Sequence, residues 1–343
     1  MRPTTIAVDL AKSVFEVAVS NQPGRVKEEH RLSRTAFARF MGEHRPATVV
    51  MEACSSGHHW ARRLRDLGHQ VVLLPPHEVR PYVPRNKTDR TDAKAILEAY
   101  RNEAIHPVPV KSLDQHALAG LHRLRSAWFA TRTARINTVR GLLRELGVII
   151  PVGAKHVVPR LRELLADPQS PVPQALHAVL AEAAFEIRDL EHRIDRTEKQ
   201  LRALAQQIPT VAHLESIPGV GLLTATALVA FVGEIRRFPT GRHFASYLGL
   251  TPRERSSGTV RRLGRISKRG DAYLRMLLTH GARAVLRSAH VCKEPDTLRV
   301  WALRTEQRRG HNKAAIALAN KLARIACTVW KEDRMFVTRP QHA

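Results

Sequence analysis

The period of the apolar pattern changes about one third of the way along the 343-residue chain. Before residue 110, short β-prone runs predict strands over residues 6–8, 14–19, 48–51 and 71–74, with a helix over 59–67. Strands that alternate with helical segments indicate a sheet with helical crossovers. We therefore expect an α/β domain over residues 1–110.

Beyond residue 110 the apolar residues recur at helical spacing. The pattern predicts long helices from about 113 to 146 and from about 173 to 207, and a Pro- and Gly-containing turn over 151–169. Residues 182–201 combine this spacing with dense opposite charges, which fits either an antiparallel hairpin in one monomer or a coiled coil between subunits. We expect a helical coiled-coil region over 111–208.

Residues 209–343 are expected to form a third, mostly helical domain. It opens with Ile217-Pro218-Gly219-Val220-Gly221, which is typical of a helix-hairpin-helix turn. In such a turn Gly219 and Gly221 would let backbone N–H groups approach a phosphate at a helix N-terminus. The same residues would equally suit a plain connection between packed helices.

The net charge of +25 is concentrated toward the end of the chain. The excess of Lys and Arg over Asp and Glu is +5 in residues 1–110, +5 in 111–208 and +15 in 209–343. With 43% apolar residues the chain is too hydrophobic for a disordered polycation. Such a charge favours a polyanionic partner, either nucleic acid or an anionic membrane surface.

Membrane association is disfavoured by the hydropathy pattern. The longest nearly apolar run, residues 221–233, is shorter than the roughly 20 residues of a spanning helix, and the N-terminus lacks the pattern of a secretory signal. Cys54, Cys292 and Cys327 form no C-x-x-C pair, so we expect small core residues rather than disulfides or a zinc site. These features predict a cytoplasmic protein without a membrane partner.

A strongly basic segment lies between residues 236 and 275, with eleven Lys and Arg against two acidic residues. A solvated face would mix the signs of charge, so phosphate contact is the better interpretation. The candidate nucleic-acid-binding residues are Arg253, Arg255, Arg261, Arg262, Arg265, Lys268 and Arg269. Ser256-Ser257-Gly258 lies among them, and a serine beside arginines can attack phosphorus, although most loop serines have no such role.

Four carboxylates form the other candidate site. Asp9 and Glu52 end predicted strands, and Asp89 and Asp92 stand three residues apart at a predicted helix start, hence on one helical face. If these elements meet, the four side chains could hold Mg²⁺, as two ions about 4 Å apart in phosphodiester chemistry. Singly, each acid has a structural explanation, such as a turn, an ion pair or the helix dipole.

The ordered set of motifs resembles the DEDD transposases of the insertion-sequence 110 family, which includes the Piv-type DNA invertases. The matching motifs are Ile6-Ala7-Val8-Asp9, Met51-Glu52-Ala53, Lys87-Thr88-Asp89-x-x-Asp92-Ala93, Ile217 to Gly221, Phe244 to Pro252, and Ser257-Gly258. The resemblance implies a RuvC-like, RNase H-type N-terminal domain whose tetrad Asp9, Glu52, Asp89 and Asp92 holds Mg²⁺. It also implies a C-terminal transposase domain whose catalytic serine aligns with Ser257, with Ser256 as the adjacent alternative.

The function implied by this resemblance is site-specific recombination of donor and target DNA, guided by a structured bridge RNA. Tetrad and serine would come from different protomers of a dimer or tetramer. Two alternatives remain open from the residues alone. One is a RuvC-type Holliday-junction resolvase in which water attacks, and the other is a non-enzymatic basic nucleic-acid-binding protein whose acids are structural.

Overall fold

The computed structural model describes residues 4–22, 25–54, 56–83 and 89–337, without the side chains of Asp89 and Arg90. Two compact units are present, Met1–Leu113 and Asp114–Ala343. The N-terminal unit is mixed α/β and the C-terminal unit is predominantly helical. A separate boundary near residue 208 stays a prediction.

The N-terminal unit is built on a five-stranded sheet of order β3-β2-β1-β4-β5. β1 pairs with β2 and β2 with β3 in antiparallel fashion, whereas β1 pairs with β4 and β4 with β5 in parallel. The strands are β1 (Thr5–Leu10), β2 (Val14–Ser20), β3 (Glu28–Ser33), β4 (Thr48–Glu52) and β5 (Gln70–Leu74). The helices are α1 (Arg34–Glu43), α2 (Gly57–Asp66), α3 (Pro76–Val79) and α4 (Asp89–Tyr100).

The predicted strands and the helix over 59–67 are confirmed, and β3 is an addition. Its sequence, Glu-Glu-His-Arg-Leu-Ser, is polar, and it lies at the edge of the sheet, where neither face is fully buried. An edge strand of this kind lacks the alternation of apolar and polar residues by which a strand is predicted from sequence.

The two faces of the sheet bury different side chains. One face packs Phe15 against Phe37 and Trp60 in edge-to-face contacts, with ring centroids 5.1 to 5.3 Å apart. The other face presents Ala7 and the neighbouring Ala18 to the helix α4. Small residues at these strand positions let α4 approach the sheet closely.

The C-terminal unit consists of nine labelled helices and a short hairpin within the described residues. The helices are α5 (Leu113–Glu145), α6 (Val157–Ala166), α7 (Gln174–Ala205), α8 (Pro209–Glu215), α9 (Leu222–Val232), α10 (Gly241–Tyr247), α11 (Ala272–Val291), α12 (Thr297–Arg309) and α13 (His311–Glu332). The hairpin strands are β6 (Pro252–Glu254) and β7 (Leu263–Ile266). Leu118 of α5 and Leu201 of α7 share one buried core with α8 to α13.

The long helices α5 and α7 form an antiparallel hairpin within the chain. Three ion pairs join them, Arg125 to Glu198 at 2.7 Å, Arg132 to Glu191 at 3.5 Å and Arg135 to Glu186 at 2.5 Å. Residue numbers rise along α5 as those of their partners fall along α7. The intramolecular alternative is therefore realised, while pairing between subunits stays a prediction.

The segment 151–169 is more than the predicted turn, because it contains the helix α6. Val157, Leu161 and Leu164 are buried in a second core with Ile187 of α7. These residues are spaced by four and three, as in a helix, but the Pro and Gly residues that flank them favour a turn. The expectation of core cysteines is also corrected, since Cys327 is buried, but Cys54 is half-buried and Cys292 is exposed.

Across the described ranges, none of the helices has both the length and the apolar character that a bilayer crossing requires.

His122 links α5 to α9 and α11 through two hydrogen bonds in the protein interior. The Thr226 hydroxyl donates to Leu222 O at 2.6 Å, so it accepts from Nε2–H of His122 at 3.0 Å. Nδ1 is then left to accept from the Tyr273 hydroxyl, also at 3.0 Å. Burial, together with the charge of Arg125, lowers the pKa of His122 to about 4.

This histidine predicts a loss of stability in mild acid. Between its unfolded pKa of about 6.5 and its folded pKa of about 4, only the unfolded chain binds the proton, so stability falls as the pH falls. The cost at pH 4 is on the order of 3 kcal/mol. We expect thermal unfolding from pH 7.5 to 4 to show this loss in the wild type and not in His122→Gln. Parallel curves for the two proteins would contradict the assignment.

Candidate active site

Asp9 and Glu52 lie at the same edge of the sheet because their strands are parallel neighbours. β1 and β4 pair in register as far as Val8 opposite Met51, and the two acids are the next residue on each strand. Side chains alternate along a strand, so both carboxylates project from the face that carries Ala7 and is covered by α4. The pairing predicted from two separate strand ends is thus present in the fold.

Helix α4 begins at Asp89, as the sequence predicts, and covers this same face. Ala93 and Ile96 pack against the sheet, and Oδ1 of Asp92 is buried. The Asp89 carboxylate, like Lys87 and Thr88 before it, lies outside the described residues. The fold therefore brings Asp9, Glu52 and the aspartate-bearing helix to one face, and the placement of Asp89 stays a prediction.

Glu16 is a neighbouring carboxylate that sequence reasoning missed. It lies directly opposite Asp9 in the β1–β2 pair and forms an ion pair with Arg31 at 3.4 Å. Opposed carboxylates on paired strands repel, and Arg31 offsets part of that repulsion. The sequence does contain a signal for this residue, because Glu16 is the polar residue in the apolar run Val14-Phe15-Glu16-Val17. A polar residue inside such a strand indicates a position on the less buried face, here the face that carries Asp9.

The thiol of Cys54 lies near the acidic edge of the sheet, and its pKa is raised. Burial raises the pKa of its thiol, and the charges of Glu52 and Asp9 raise it further. The thiol lies 4.0 Å from Leu10 O, at the end of β1. The direction of this shift agrees with the placement of both acids at the same edge of the sheet.

The donor chemistry of this face fits Mg²⁺. All four predicted ligands are carboxylates, the oxygen donors that Mg²⁺ prefers alongside water and substrate phosphate. Among the side chains that the structure describes, no group of three His, Cys, Asp or Glu is already gathered as a metal site.

The C-terminal hairpin presents Ser257 at its tip. Backbone bonds between Ser257 and Val260, at 3.2 and 3.1 Å, close a tight turn around Gly258 and Thr259. Gly258 has a φ of +55°, a conformation that glycine adopts without steric cost. Ser257 is exposed, and its hydroxyl makes no side-chain hydrogen bond to the described part of the chain.

Ser256 has a different environment from its neighbour. Its hydroxyl donates to Glu254 Oε1 at 2.7 Å and accepts from the backbone N–H of Arg262 at 3.2 Å, which ties the two arms of the hairpin together. Hydrogen bonding to Ser256, and then the charge of Arg261, lowers the pKa of Glu254. The Ser256 hydroxyl is thus occupied within the hairpin, whereas that of Ser257 faces solvent.

The candidate phosphate-binding side chains cluster on and beside this hairpin. Arg253, Arg255, Arg261, Arg262, Arg265, Lys268 and Arg269 are all exposed. Arg253 donates to Ser267 O at 3.1 Å, and Arg261 contacts Glu254 at 3.3 Å. Exposed guanidinium groups around an accessible serine form a surface suited to a phosphodiester backbone.

The two glycines of the predicted phosphate turn differ in their surroundings. Gly219 has a φ of +84° and packs against α11, where a Cβ on Gly281 would lie 1.9 Å from Gly219 O. Its glycine is therefore required for helix packing. Gly221 precedes α9, is exposed and has open space around it, so only this glycine leaves its backbone accessible. Phosphate binding here stays a prediction.

Comparisons with known proteins agree with these two regions. Residues 6–148 match a family model named for the DEDD transposases of IS110 and described as "Transposase", and residues 211–295 match the "Transposase IS116/IS110/IS902 family". The chain is 43% identical over 326 residues to a "Probable family 20 transposase" of Pseudomonas aeruginosa, covering 95% of this chain and 96% of the relative.

Two further relatives are transposases of named insertion sequences. The transposase for IS1111A of Coxiella burnetii is 38% identical over 320 residues, covering 93% of this chain and 87% of the relative. The transposase for IS1328 of Yersinia enterocolitica is 34% identical over 333 residues, covering 97% and 98%. On these matches along nearly its whole length, and with the motifs of both domains in place, the chain belongs to the IS110 family of insertion-sequence transposases.

Proposed function

We propose that this transposase is a Mg²⁺-dependent recombinase in which Asp9, Glu52, Asp89 and Asp92 hold two metal ions and Ser257 attacks DNA. The observation that carries the proposal is the placement of Asp9 and Glu52 side by side, on the face covered by α4. Two carboxylates from strands far apart in sequence, beside a helix that starts with two more, are poorly explained by packing alone.

A RuvC-like architecture is supported by the connectivity of the sheet. An antiparallel β1-β2-β3 meander continues into the parallel strands β4 and β5, giving the order β3-β2-β1-β4-β5. This is the arrangement expected of an RNase H-type domain with its first acid on the central strand. The proposal therefore assigns the N-terminal unit to that fold.

The chemistry assigned to Ser257 is a transesterification. Its Oγ forms a bond to phosphorus, the bond from phosphorus to the leaving deoxyribose oxygen breaks, and the proton lost by the serine hydroxyl passes through water to the leaving oxygen. The exposed Arg255 and Arg262 balance negative charge that develops on the phosphoryl oxygens. Bound Mg²⁺ would supply Lewis-acid stabilisation of the same charge.

The tetrad and the serine belong to the two different units of the chain. We propose that they act together in a dimer or tetramer, each reaction centre combining a tetrad from one protomer with a serine from another. An alcohol is a weak nucleophile until its proton is withdrawn, so a lone subunit would not cleave DNA. This arrangement makes strand cleavage conditional on assembly.

Removing one tetrad carboxylate should abolish strand exchange without loss of DNA binding. We expect Asp92→Asn and Asp9→Asn each to lower the strand-exchange rate by roughly 100-fold or more, because an amide binds Mg²⁺ weakly. The matched control is Glu98→Gln, an exposed α4 residue paired with Arg101, which should exchange strands normally. Activity in the tetrad variants at ordinary Mg²⁺ concentrations would assign these acids a structural role.

Substitution of each serine should distinguish the role of Ser257 from that of Ser256. Ser257→Ala is expected to abolish both strand exchange and a denaturation-resistant protein–DNA adduct, whereas Ser256→Ala, which loses only its hairpin bonds, should lower activity by about tenfold or less. Adduct formation is measured by gel retardation after denaturation. An adduct retained in Ser257→Ala would transfer the role to Ser256. Mg²⁺-dependent cleavage without any adduct in the wild type would indicate a resolvase in which water attacks.

The guide is proposed to be a structured RNA encoded with the element. Its support is the resemblance to the insertion-sequence 110 family, and the excess of +15 in residues 209–343 supplies affinity for a phosphate backbone, whether RNA or DNA. We expect RNA matching the element's own flanking sequence to co-purify with the protein and to be identified by sequencing. Strand exchange by RNase-treated protein at an undiminished rate would exclude the guide and leave DNA as the sole nucleic-acid partner.

A further inference from the structure

A groove of about 820 Å³ lies between the base of the β6–β7 hairpin and the helices α12 and α13. Its apolar lining comes from the hairpin residues Pro252 and Ile266, from Leu250 before them, and from Ile316 and Ala317 of α13. Leu250 is buried at the floor, Ile266, Ile316 and Ala317 are partly exposed, and Pro252 is exposed. The tetrad and the hairpin tip do not use this groove.

The rim of this groove carries positive charge, and no acidic lining residue offsets it. Arg265, Lys313, Lys321 and Arg324 line it, and none of its lining residues is acidic. A ligand that satisfied both features would combine a flat apolar part with negative charge. A nucleotide has this combination, with a base for the floor and a phosphate for the rim.

Trp301 supplies an aromatic surface on one wall of the groove. The Nζ of Lys321 lies 4.3 Å from the centre of its ring, in a cation–π contact. Burial, and then the charge of Arg324, lowers the pKa of Lys321. A phosphate beside these two cations would relieve their mutual repulsion, since it supplies the opposite charge that the groove lacks.

We propose that this groove, defined by Trp301, Ile316, Lys321 and Arg324, binds an unpaired nucleotide of the DNA strand that undergoes exchange. The base contacts Trp301 and the apolar floor, and the phosphate contacts Lys321 and Arg324. This inference rests on the proposed function, because strand exchange requires that DNA be locally unpaired.

The groove and the serine are connected by the hairpin itself. Pro252 lines the groove and Ser257 lies five residues further along, at most about 17 Å away in extended chain. This corresponds to roughly five nucleotides at the spacing of a stacked strand. The held nucleotide is therefore placed within that distance of the phosphate that Ser257 attacks.

The test measures binding of a fluorescent single-stranded DNA of about 12 nucleotides to the full-length protein at about 0.2 M salt. Trp301→Ala should weaken binding by about tenfold, the scale of one lost base stack, and Trp301→Phe should largely restore it. Lys321→Gln should also weaken binding. Arg304→Gln removes the same charge from an exposed α12 residue outside the groove and should have little effect.

A strand of the same length built entirely of abasic sites identifies the contact. Wild type and Trp301→Ala should bind it equally, and a 5-iodouracil strand should crosslink to Trp301 in the wild-type protein. The inference would be overturned if Trp301→Ala bound the intact strand as tightly as the wild type does. It would also be overturned if the substitution weakened binding of the abasic strand equally, or if it weakened binding of RNA and not of DNA. Failure of the proposed function would give a different result, because the wild-type protein would then show no Mg²⁺-dependent strand exchange, whatever its affinity for single-stranded DNA.

Discussion

The parallel pairing of β1 with β4 is the constraint on which the proposed chemistry depends. Asp9 and Glu52 are 43 positions apart in the sequence, and the register of this pair makes them neighbours. A slip of one residue would turn one carboxylate into the opposite core, which contains Val8 and Met51. The apolar alternation that secures the core therefore also secures the position of the acids.

The proposed attack by serine depends on a different structural element, the β6–β7 hairpin. Ser257 lies on the tip of a short exposed hairpin, held by backbone bonds to Val260 and by the bridge from Ser256 to Glu254 and Arg262. A tip of this kind offers its hydroxyl to a large substrate without enclosing it. The helices α12 and α13 behind it line the groove with the apolar floor and the cationic rim, which is the surface proposed to hold the substrate strand.

The accuracy of sequence-based prediction followed the strength of the local signal. β1, β2, β4 and β5 are apolar runs, and they were predicted. The polar edge strand β3 and the helix α6, embedded among Pro and Gly, gave no such signal and were missed. Asp9, Glu52 and the start of α4 were grouped from the ends of two predicted strands and the three-residue spacing of two aspartates, and the family motifs linked the same residues. Glu16 lies inside an apolar run and had no motif to mark it.

The sequence by itself determined the α/β start, the two long helices, the basic C-terminal third and membership in a transposase family, because composition, periodicity and short motifs are local properties. Tertiary structure alone decided which side chains became neighbours. It paired the helices α5 and α7 within one chain, packed Gly219 against Gly281, and gave the adjacent Ser256 and Ser257 different environments. These outcomes depend on contacts between residues distant in sequence, or across a folded hairpin, which no local pattern encodes.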